Sequence, residues 1–146
     1  MENSKKSQDR QFATIMFDID FFKQVNDNYG HSGGDAVLIS FAQLLQAEIS
    51  SPNIVGRIGG EEFLAILYLS PDEALEFCKK LIKKINTNVV SYEGTDIKIS
   101  SSGGVAFSTE TETSADLTNK ADERLYEAKK DGRNRFKLID NELVGD

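Results

Sequence analysis

The sequence predicts an α+β domain in which helices surround one central, mainly antiparallel β-sheet. Short apolar, partly β-branched runs alternate with amphipathic helical stripes in the order β-α-α-β-β-α-β-α-β. Two of the runs flank a Gly-Gly pair, which is a strong signal for a tight hairpin. The chain has 146 residues, of which 39% are hydrophobic, so it is long enough for one domain with its own core.

The first half of the chain predicts a strand, two helices and the hairpin. Residues 12–19 (FATIMFDI) form an apolar run that stops at acids, as a buried strand would. The next stretch, DFFKQVNDNYG, predicts a short helix that ends at Gly30. The apolar spacing over residues 34–49 predicts a longer amphipathic helix. The hairpin strands are expected at residues 54–58 and 62–69.

The second half predicts two helices and two further strands. Residues 70–73 (SPDE) supply a cap, a proline and two acids, which favour the start of a helix. Residues 96–107 (DIKISSSGGVAF) predict a strand with a small-residue interruption. Residues 114–130 predict the last helix, which Gly132 ends, and residues 135–139 (RFKLI) can close the sheet. This order indicates a ferredoxin-like sandwich with helices mainly on one face.

Composition narrows the classes of function. The formal net charge of −7 argues against binding nucleic acid, and it means that a polyanionic ligand needs cations or a local basic cluster. The single cysteine, Cys78, excludes an intrachain disulfide and a cysteine-based zinc site, so a cytoplasmic location is expected. No apolar run approaches the roughly 18 residues of a membrane span, and no membrane contact is expected. Residues 1–11 are expected to be a flexible segment and residues 141–146 a tail.

Two acidic pairs follow strands that can be neighbours in the sheet. Asp18 and Asp20 end the first strand, and Glu61 and Glu62 leave the hairpin turn. Two carboxylates about 4 Å apart repel by roughly 4 kcal/mol at an effective dielectric constant of about 20. A cluster of this kind needs a proton, a basic partner or a metal, and hard oxygen ligands favour Mg²⁺ or Mn²⁺ beside substrate phosphates. The alternative is that all four acids are solvated turn and cap residues.

Glycines and basic residues add two further indications of a ligand. Gly59 and Gly60 have no Cβ atoms, so a ligand could lie directly on the turn backbone, although such a pair can also simply form a turn. Lys23, Lys129 and Arg133 could hold the outer phosphates of a nucleoside triphosphate. For Lys129 and Arg133 the alternative is that they are favourable cations at a helix C-terminus.

Three motifs, in this order and spacing, resemble the GGDEF family of diguanylate cyclases: FDIDFFKQVNDNYGHSGGD, RIGGEEF and ADERLYEAKKDGRNR. The resemblance covers about residues 12–138 and implies that residues 12–140 form a GGDEF catalytic domain, with a fold similar to the palm-like domain of nucleotidyl cyclases. It implies that two GTP molecules are joined into cyclic di-GMP with release of pyrophosphate. The 3′-hydroxyl of one GTP would attack the α-phosphorus of the other at the interface of a homodimer.

The resemblance also implies a role for each matching residue around the metal. Mg²⁺ or Mn²⁺ would bind the carboxylate of Asp18, the backbone carbonyl of Ile19 and Glu61. Glu62 would lie beside Glu61, close to the reacting phosphate and hydroxyl. Lys23 is grouped with these two glutamates as catalytic, through contact with phosphate.

The remaining matching positions imply how GTP is held. Asn26 and Asp35 would recognise guanine, because a carboxylate can accept from its N1–H and exocyclic amine, whereas adenine offers no N1–H. This pair therefore favours GTP over the substrate of a related cyclase that makes another cyclic dinucleotide. Gly59 and Gly60 would let the α-phosphate lie against the hairpin. Lys129 and Arg133 would contact the other phosphates.

Two positions and the start of the chain depart from the family pattern. Ser50 and Asn53 stand where the family usually carries the Arg and Asp of an inhibitory product site, so we predict no feedback inhibition through that site. The family's usual N-terminal helix, with its Asp-x-Leu-Thr-x-Leu-x-Asn-Arg stretch, is not recognisable before the first strand. The alternative function is therefore a catalytically silent GTP-binding or regulatory module that cannot dimerise productively. A sensory or regulatory domain is expected elsewhere on the full-length protein.

Overall fold

The computed structural model describes residues 10–139 and 143–145, so most of the predicted N-terminal segment lies outside the described residues. The strands are β1 (Ala13–Ile19), β2 (Ile54–Gly59), β3 (Glu62–Leu67), β4 (Val90–Tyr92), β5 (Thr95–Ile97), β6 (Ser101–Phe107), β7 (Arg135–Lys137) and β8 (Leu143–Gly145). The helices are α1 (Phe22–Glu48), α2 (Pro71–Thr87) and α3 (Ser114–Lys130), with a 3₁₀ turn at Ser108–Glu110.

The main sheet has the strand order β2-β3-β1-β6-β7-β8, and β4 and β5 form a separate two-stranded sheet. In the main sheet β1 pairs antiparallel with both β3 and β6, and β6 pairs in parallel with β7. The predicted α+β class with a mainly antiparallel central sheet is confirmed. The first strand in the chain is therefore central in the sheet, with the hairpin on one side of it.

Alternate side chains of β1 enter two different cores. Phe17 packs edge-to-face against Phe41 of α1, with ring centroids 6.4 Å apart, and α1 and α2 cover this face of the sheet. Met16 points to the opposite face, where α3 buries it with Ala106 and Leu117. Because β1 is buried on both sides, its C-terminal end is held firmly in place.

Helix α1 is broken at Gly30, where the prediction ended the first helix. Gly30 has φ 75° and ψ 174°, which are not helical values. The two halves of α1 then pack tightly, since a Cβ atom on Gly34 would lie 1.9 Å from Oδ1 of Asn26. A Cβ atom on Gly33 would lie 2.4 Å from that of Tyr29. Two glycines thus let the second half of α1 approach the first.

The other helix ends agree with the sequence signals. Ser70 and Glu73 form a reciprocal capping box at the start of α2, with N···O distances of 2.9 and 3.3 Å. Helix α3 has the predicted bounds, and Gly132 follows its C-cap with φ 129°.

Three features differ from the sequence prediction. The segment expected as one strand over residues 96–107 is divided between β5, which pairs with β4, and β6, which lies in the main sheet. The closing strand β7 is shorter than predicted, and residues 143–145 of the predicted tail pair with it as β8. Strands β4, β5, β7 and β8 have three residues each, too few to show an alternation in the sequence.

Candidate active site

The C-terminal end of β1 and the β2–β3 hairpin lie side by side. Asp18 is opposite Glu62 in the antiparallel register, and the backbone N–H of Ile19 donates to the carbonyl of Glu61 at 3.3 Å. The structure therefore brings Asp18, Ile19, Glu61 and Glu62 to one place, as the order of strands suggested.

Asp18 is a buried carboxylate with one unsatisfied oxygen. The residue is only 3% exposed. Its Oδ2 accepts a hydrogen bond from Nζ of Lys129, whereas Oδ1 is buried without a hydrogen-bond partner. The pKa of Asp18 is raised to about 6, chiefly by burial; the charges of Glu61 and Glu62 also raise it, and Lys129 partly offsets these effects by lowering it. A second cation at Oδ1 would complete the electrostatic balance of this site.

The hairpin leaves its backbone open beside these acids. The register of β2 against β3 shifts between Arg57 and Gly59, and Nε of Arg57 donates to the carbonyl of Gly60 at 2.7 Å. A Cβ atom on Gly59 or Gly60 would meet nothing within 4 Å. Gly60 also has φ 48°, a conformation that favours glycine. The turn is therefore held in shape while its outer surface is free to meet a ligand.

Asp20, which the sequence grouped with the other acids, has a different environment. It is buried and accepts from the hydroxyls of Ser100 and Ser102 at 2.6 and 2.7 Å. The backbone N–H of Asn134 donates to it at 2.9 Å. Sequence reasoning missed these partners, although the run of serines at 100–102 was visible as an interruption of the predicted strand.

The predicted phosphate-binding cations are distributed unequally around the site. Lys129 contacts Asp18 directly, and Nη1 of Arg133 lies 3.9 Å from Oδ1 of Asp20. Lys23 is in the first turn of α1 and forms an exposed ion pair with Asp27 at 3.3 Å. The structure thus brings Lys129 and Arg133 to the acids, while Lys23 contacts another residue of its own helix.

The predicted guanine-binding residues lie across the break in α1. Oδ1 of Asn26 is against Gly34, whose next residue is Asp35. Asn26 is half-buried and Asp35 is exposed. The tight contact at Gly34 places the two side chains on facing halves of the same helix.

Ser50 and Asn53, the two positions predicted to lack a product site, both take part in hydrogen bonds of the fold. The backbone N–H of Asn53 donates to the carbonyl of Ser50 at 2.9 Å. Oδ1 of Asn53 accepts from the backbone N–H of Tyr68 at 2.8 Å. Asn53 thereby connects the start of β2 with the residue that follows β3.

The described residues do not provide a metal site from side chains alone. Within residues 10–139 and 143–145, no three His, Cys, Asp or Glu side chains come together closely enough to hold a metal ion. Over the same residues, no helix has both the length and the apolar character needed to cross a membrane. Any metal at Asp18 would therefore need backbone or ligand oxygens as well.

The fold and the site define a class of small α+β domain in which the acidic end of a central strand lies beside an open glycine hairpin. The chain belongs to the GGDEF family: residues 1–135 match the family model described as "Diguanylate cyclase, GGDEF domain".

Similar proteins agree with this assignment. The chain is 34% identical to Diguanylate cyclase A of Treponema denticola over 97% of its own length and 38% of that protein. It is 30% identical to the active GGEEF domain of a diguanylate cyclase from Vibrio cholerae, with a TM-score of 0.82, covering 97% of this chain and 90% of that one. It is 33% identical to SiaD, solved in complex with its activator SiaC from Pseudomonas aeruginosa, with a TM-score of 0.86 over 94% of this chain and 54% of that one. The chain thus spans well under half of the length of the Treponema relative.

Proposed function

We propose that this chain is the catalytic domain of a diguanylate cyclase, which condenses two GTP molecules into cyclic di-GMP and two pyrophosphates. The observation that carries the proposal is the buried, unpartnered Oδ1 of Asp18 beside the open backbone of Gly59 and Gly60. A buried carboxylate oxygen that lacks a hydrogen-bond donor, next to a turn formed by two glycines, suits a phosphate bound together with a metal ion.

The residues at the end of β1 fit a divalent cation. Oδ1 of Asp18 is buried and lacks a hydrogen-bond partner. Burial of such an oxygen costs free energy unless a cation or a hydrogen-bond donor binds it. Asp18, the carbonyl of Ile19 and Glu61 would hold Mg²⁺ or Mn²⁺, with substrate phosphates supplying further oxygens. When bound, such an ion lowers the pKa of a hydroxyl and neutralises charge that develops on phosphate oxygens.

The remaining residues would hold and orient one GTP. The α-phosphate would lie on Gly59 and Gly60, and Lys23, Lys129 and Arg133 would bind the outer phosphates. Asn26 and Asp35 would hydrogen-bond guanine across the break in α1.

The reaction then needs a second copy of the domain. The 3′-oxygen of one GTP forms a bond to the α-phosphorus of the other, and the bond to pyrophosphate breaks. Glu62 would lie beside the reacting groups and accept the hydroxyl proton. A second, equivalent transfer closes the ring. Because the site provides for one nucleotide, two domains would face each other as a homodimer with antiparallel substrates.

The full-length protein would carry a further regulatory domain. Support comes from the small share of the Treponema relative that this chain spans, and from the complex of SiaD with its activator. A regulatory domain could act by bringing two catalytic domains together. GTP is an intracellular nucleotide, so the proposed reaction is also consistent with the expected cytoplasmic location.

The test is product analysis by mass spectrometry after incubation of concentrated protein with GTP and Mg²⁺. We expect cyclic di-GMP at a rate that rises more than linearly with protein concentration. Glu61→Gln is the matched control and should make no product while keeping its melting temperature. If no product forms, fusion to a dimerising coiled coil separates a chain that does not pair from a silent site. GTP binding without product in the fusion would favour the silent GTP-binding module.

A further inference from the structure

A buried carboxylate that the proposed reaction does not use connects three segments around the site. Asp20 directly follows β1, whose last two residues are proposed to bind the metal, and its backbone N–H donates to the carbonyl of Ser100 at 2.9 Å. Its side chain accepts from Ser100, which precedes β6, from Ser102, the second residue of β6, and from Asn134 in the turn after α3. One side chain therefore joins the end of β1, the start of β6 and the α3–β7 turn.

The α3–β7 turn has a backbone that needs such support. Arg133 and Asn134 have φ values of 63° and 52°, in the left-handed region that residues other than glycine seldom adopt. The Asn134 N–H reaches Oδ2 of Asp20, and the Arg133 N–H donates to the carbonyl of Ala128 at 3.0 Å. These two bonds fix the direction in which the Arg133 side chain leaves the turn.

Asp20 also contacts the guanidinium group of Arg133 itself. Nη1 of Arg133 lies 3.9 Å from Oδ1 of Asp20, and the guanidinium carbon lies 4.7 Å from the ring centroid of Phe21. The Arg133 side chain is 35% exposed while that of Asp20 is fully buried. Because a guanidinium has five N–H donors, contact with one carboxylate oxygen leaves donors available for a phosphate.

We infer that Asp20 is a positioning residue that holds Arg133 in place to bind the outer phosphates of the nucleotide. Both oxygens of Asp20 have donors within the protein, so it acts through Arg133 rather than by touching substrate. The inference rests on the proposed function for the identity of the nucleotide, but it concerns binding and not turnover. It predicts that Asp20 contributes to affinity for a triphosphate and not to affinity for a monophosphate.

The experiment compares the binding of two nucleotides by calorimetry in the presence of Mg²⁺. One is guanosine 5′-(α,β-methylene)triphosphate, which cannot release pyrophosphate, and the other is GMP. Asp20→Asn should weaken binding of the triphosphate about tenfold, the size of one charge-assisted interaction, and binding of GMP less than twofold. In an Arg133→Ala background, Asp20→Asn should no longer change the ratio of the two affinities.

Ser101→Ala is the matched control. Ser101 lies between the two serines that bind Asp20, and its hydroxyl donates to the carbonyl of Asp18 at 3.0 Å instead. This variant should leave the ratio of triphosphate to GMP affinity unchanged. If Asp20→Asn does not fold, Ser102→Ala can replace it, because this variant removes the donor to the Asp20 oxygen that Arg133 approaches. Ser102→Ala should lower triphosphate affinity two- to threefold, and should have no such effect in the Arg133→Ala background.

Specific results would overturn the inference. Equal loss of affinity for both nucleotides, or an undiminished effect of Asp20→Asn in the Arg133→Ala background, would leave Asp20 with a structural role only. A wild-type protein that binds the triphosphate no better than GMP would also overturn it. A wild type that prefers the triphosphate and shows the predicted dependence on Asp20, but makes no cyclic di-GMP even when fused to a dimerising coiled coil, would refute the proposed function alone.

Discussion

Lys129 at the end of α3 forms an ion pair with Asp18 at the end of β1, 111 residues earlier in the chain. The ammonium group partly neutralises a carboxylate that would otherwise be buried near Glu61 and Glu62. The same ammonium is expected to bind phosphate when GTP is present. Lys129 can therefore pair either with the carboxylate of Asp18 or with a phosphate of the nucleotide. A metal ion at Asp18 would repel the ammonium group and favour its pairing with phosphate.

The first prediction concerns Lys129→Met. Removal of a positive charge next to Asp18 should tighten binding of Mn²⁺ alone by about tenfold, because like charges a few ångströms apart repel by more than about 1 kcal/mol. The same change should weaken binding of the GTP analogue, since one phosphate partner is lost. Electron paramagnetic resonance of free Mn²⁺ measures the first effect.

Lys130→Met is the control: Lys130 is exposed and lies over the ring of Tyr126 at 5.8 Å, so its substitution should change neither affinity. Unchanged Mn²⁺ affinity in Lys129→Met would contradict the idea that Lys129 and the metal ion compete for Asp18.

The second prediction is a pH dependence of stability in metal-free protein. The folded pKa of Asp18, raised by burial to about 6, lies above its ordinary value of 3.8. Ionisation of Asp18 therefore lowers the free energy of unfolding. The stabilisation by the protonated carboxyl is complete below about pH 4 and is lost as the pH rises through 6. Relative to Asp18→Asn, the wild type should lose about 2 kcal/mol of unfolding free energy between pH 4 and pH 7, allowing for screening by water. Urea unfolding of both proteins in EDTA measures the difference.

Glu110 gives the opposite sign and serves as the control. Burial raises the pKa of Glu110, but hydrogen bonds from Arg124 and from the N–H of Phe107 lower it below 4.5 overall. Nη1 and Nη2 of Arg124 each donate to a different oxygen of Glu110 at 2.7 Å. Its contribution to stability is therefore present above about pH 4.5 and lost as the pH falls. Glu110→Gln should be less stable than wild type at pH 7 and converge with it in acid. If Asp18→Asn gave the same curve as Glu110→Gln, the environment assigned to Asp18 would be wrong.

The parts of the fold that were predictable from sequence are those with a local cause. The apolar run of β1, the paired glycines of the hairpin and the Ser70–Glu73 capping box each carry their own signal within a few residues. The hydrogen bonds of Asp20 have no such signal, since Ser100 is 80 residues away and is brought close only when β1 and β6 pair. The β4–β5 hairpin has three-residue strands, yet Glu93 and Gly94, both with positive φ, form a turn that the sequence could have indicated.

The third prediction concerns the hairpin surface. Gly59→Ala should fold normally, because its Cβ atom would meet nothing within 4 Å, and stability should change by less than about 1 kcal/mol. The added methyl group would lie where the α-phosphate is proposed to rest, so turnover should fall more than tenfold. Gly56→Ala is the matched control: it lies on the same strand, its Cβ atom also meets nothing within 4 Å, and it should retain both stability and activity. Steady-state cyclic di-GMP synthesis and thermal unfolding measure the two effects. Equal activity in Gly59→Ala and Gly56→Ala would mean that the α-phosphate does not lie on this turn.

The fourth prediction concerns the choice of base. Asp35 is exposed on the second half of α1, next to the glycine that packs against Asn26, so its substitution should leave the contact between the two halves intact. Asp35→Ser removes the carboxylate that would accept from N1–H and the exocyclic amine of guanine. Affinity for the GTP analogue should fall about tenfold or more, since hydrogen bonds to a charged group contribute about 1.5–3 kcal/mol, whereas ATP binding should change little. Calorimetry with both nucleotides gives the ratio directly, and ATP acts as the internal control for folding and for the phosphate site. A GTP-to-ATP ratio in Asp35→Ser equal to that of the wild type would mean that another residue reads the base.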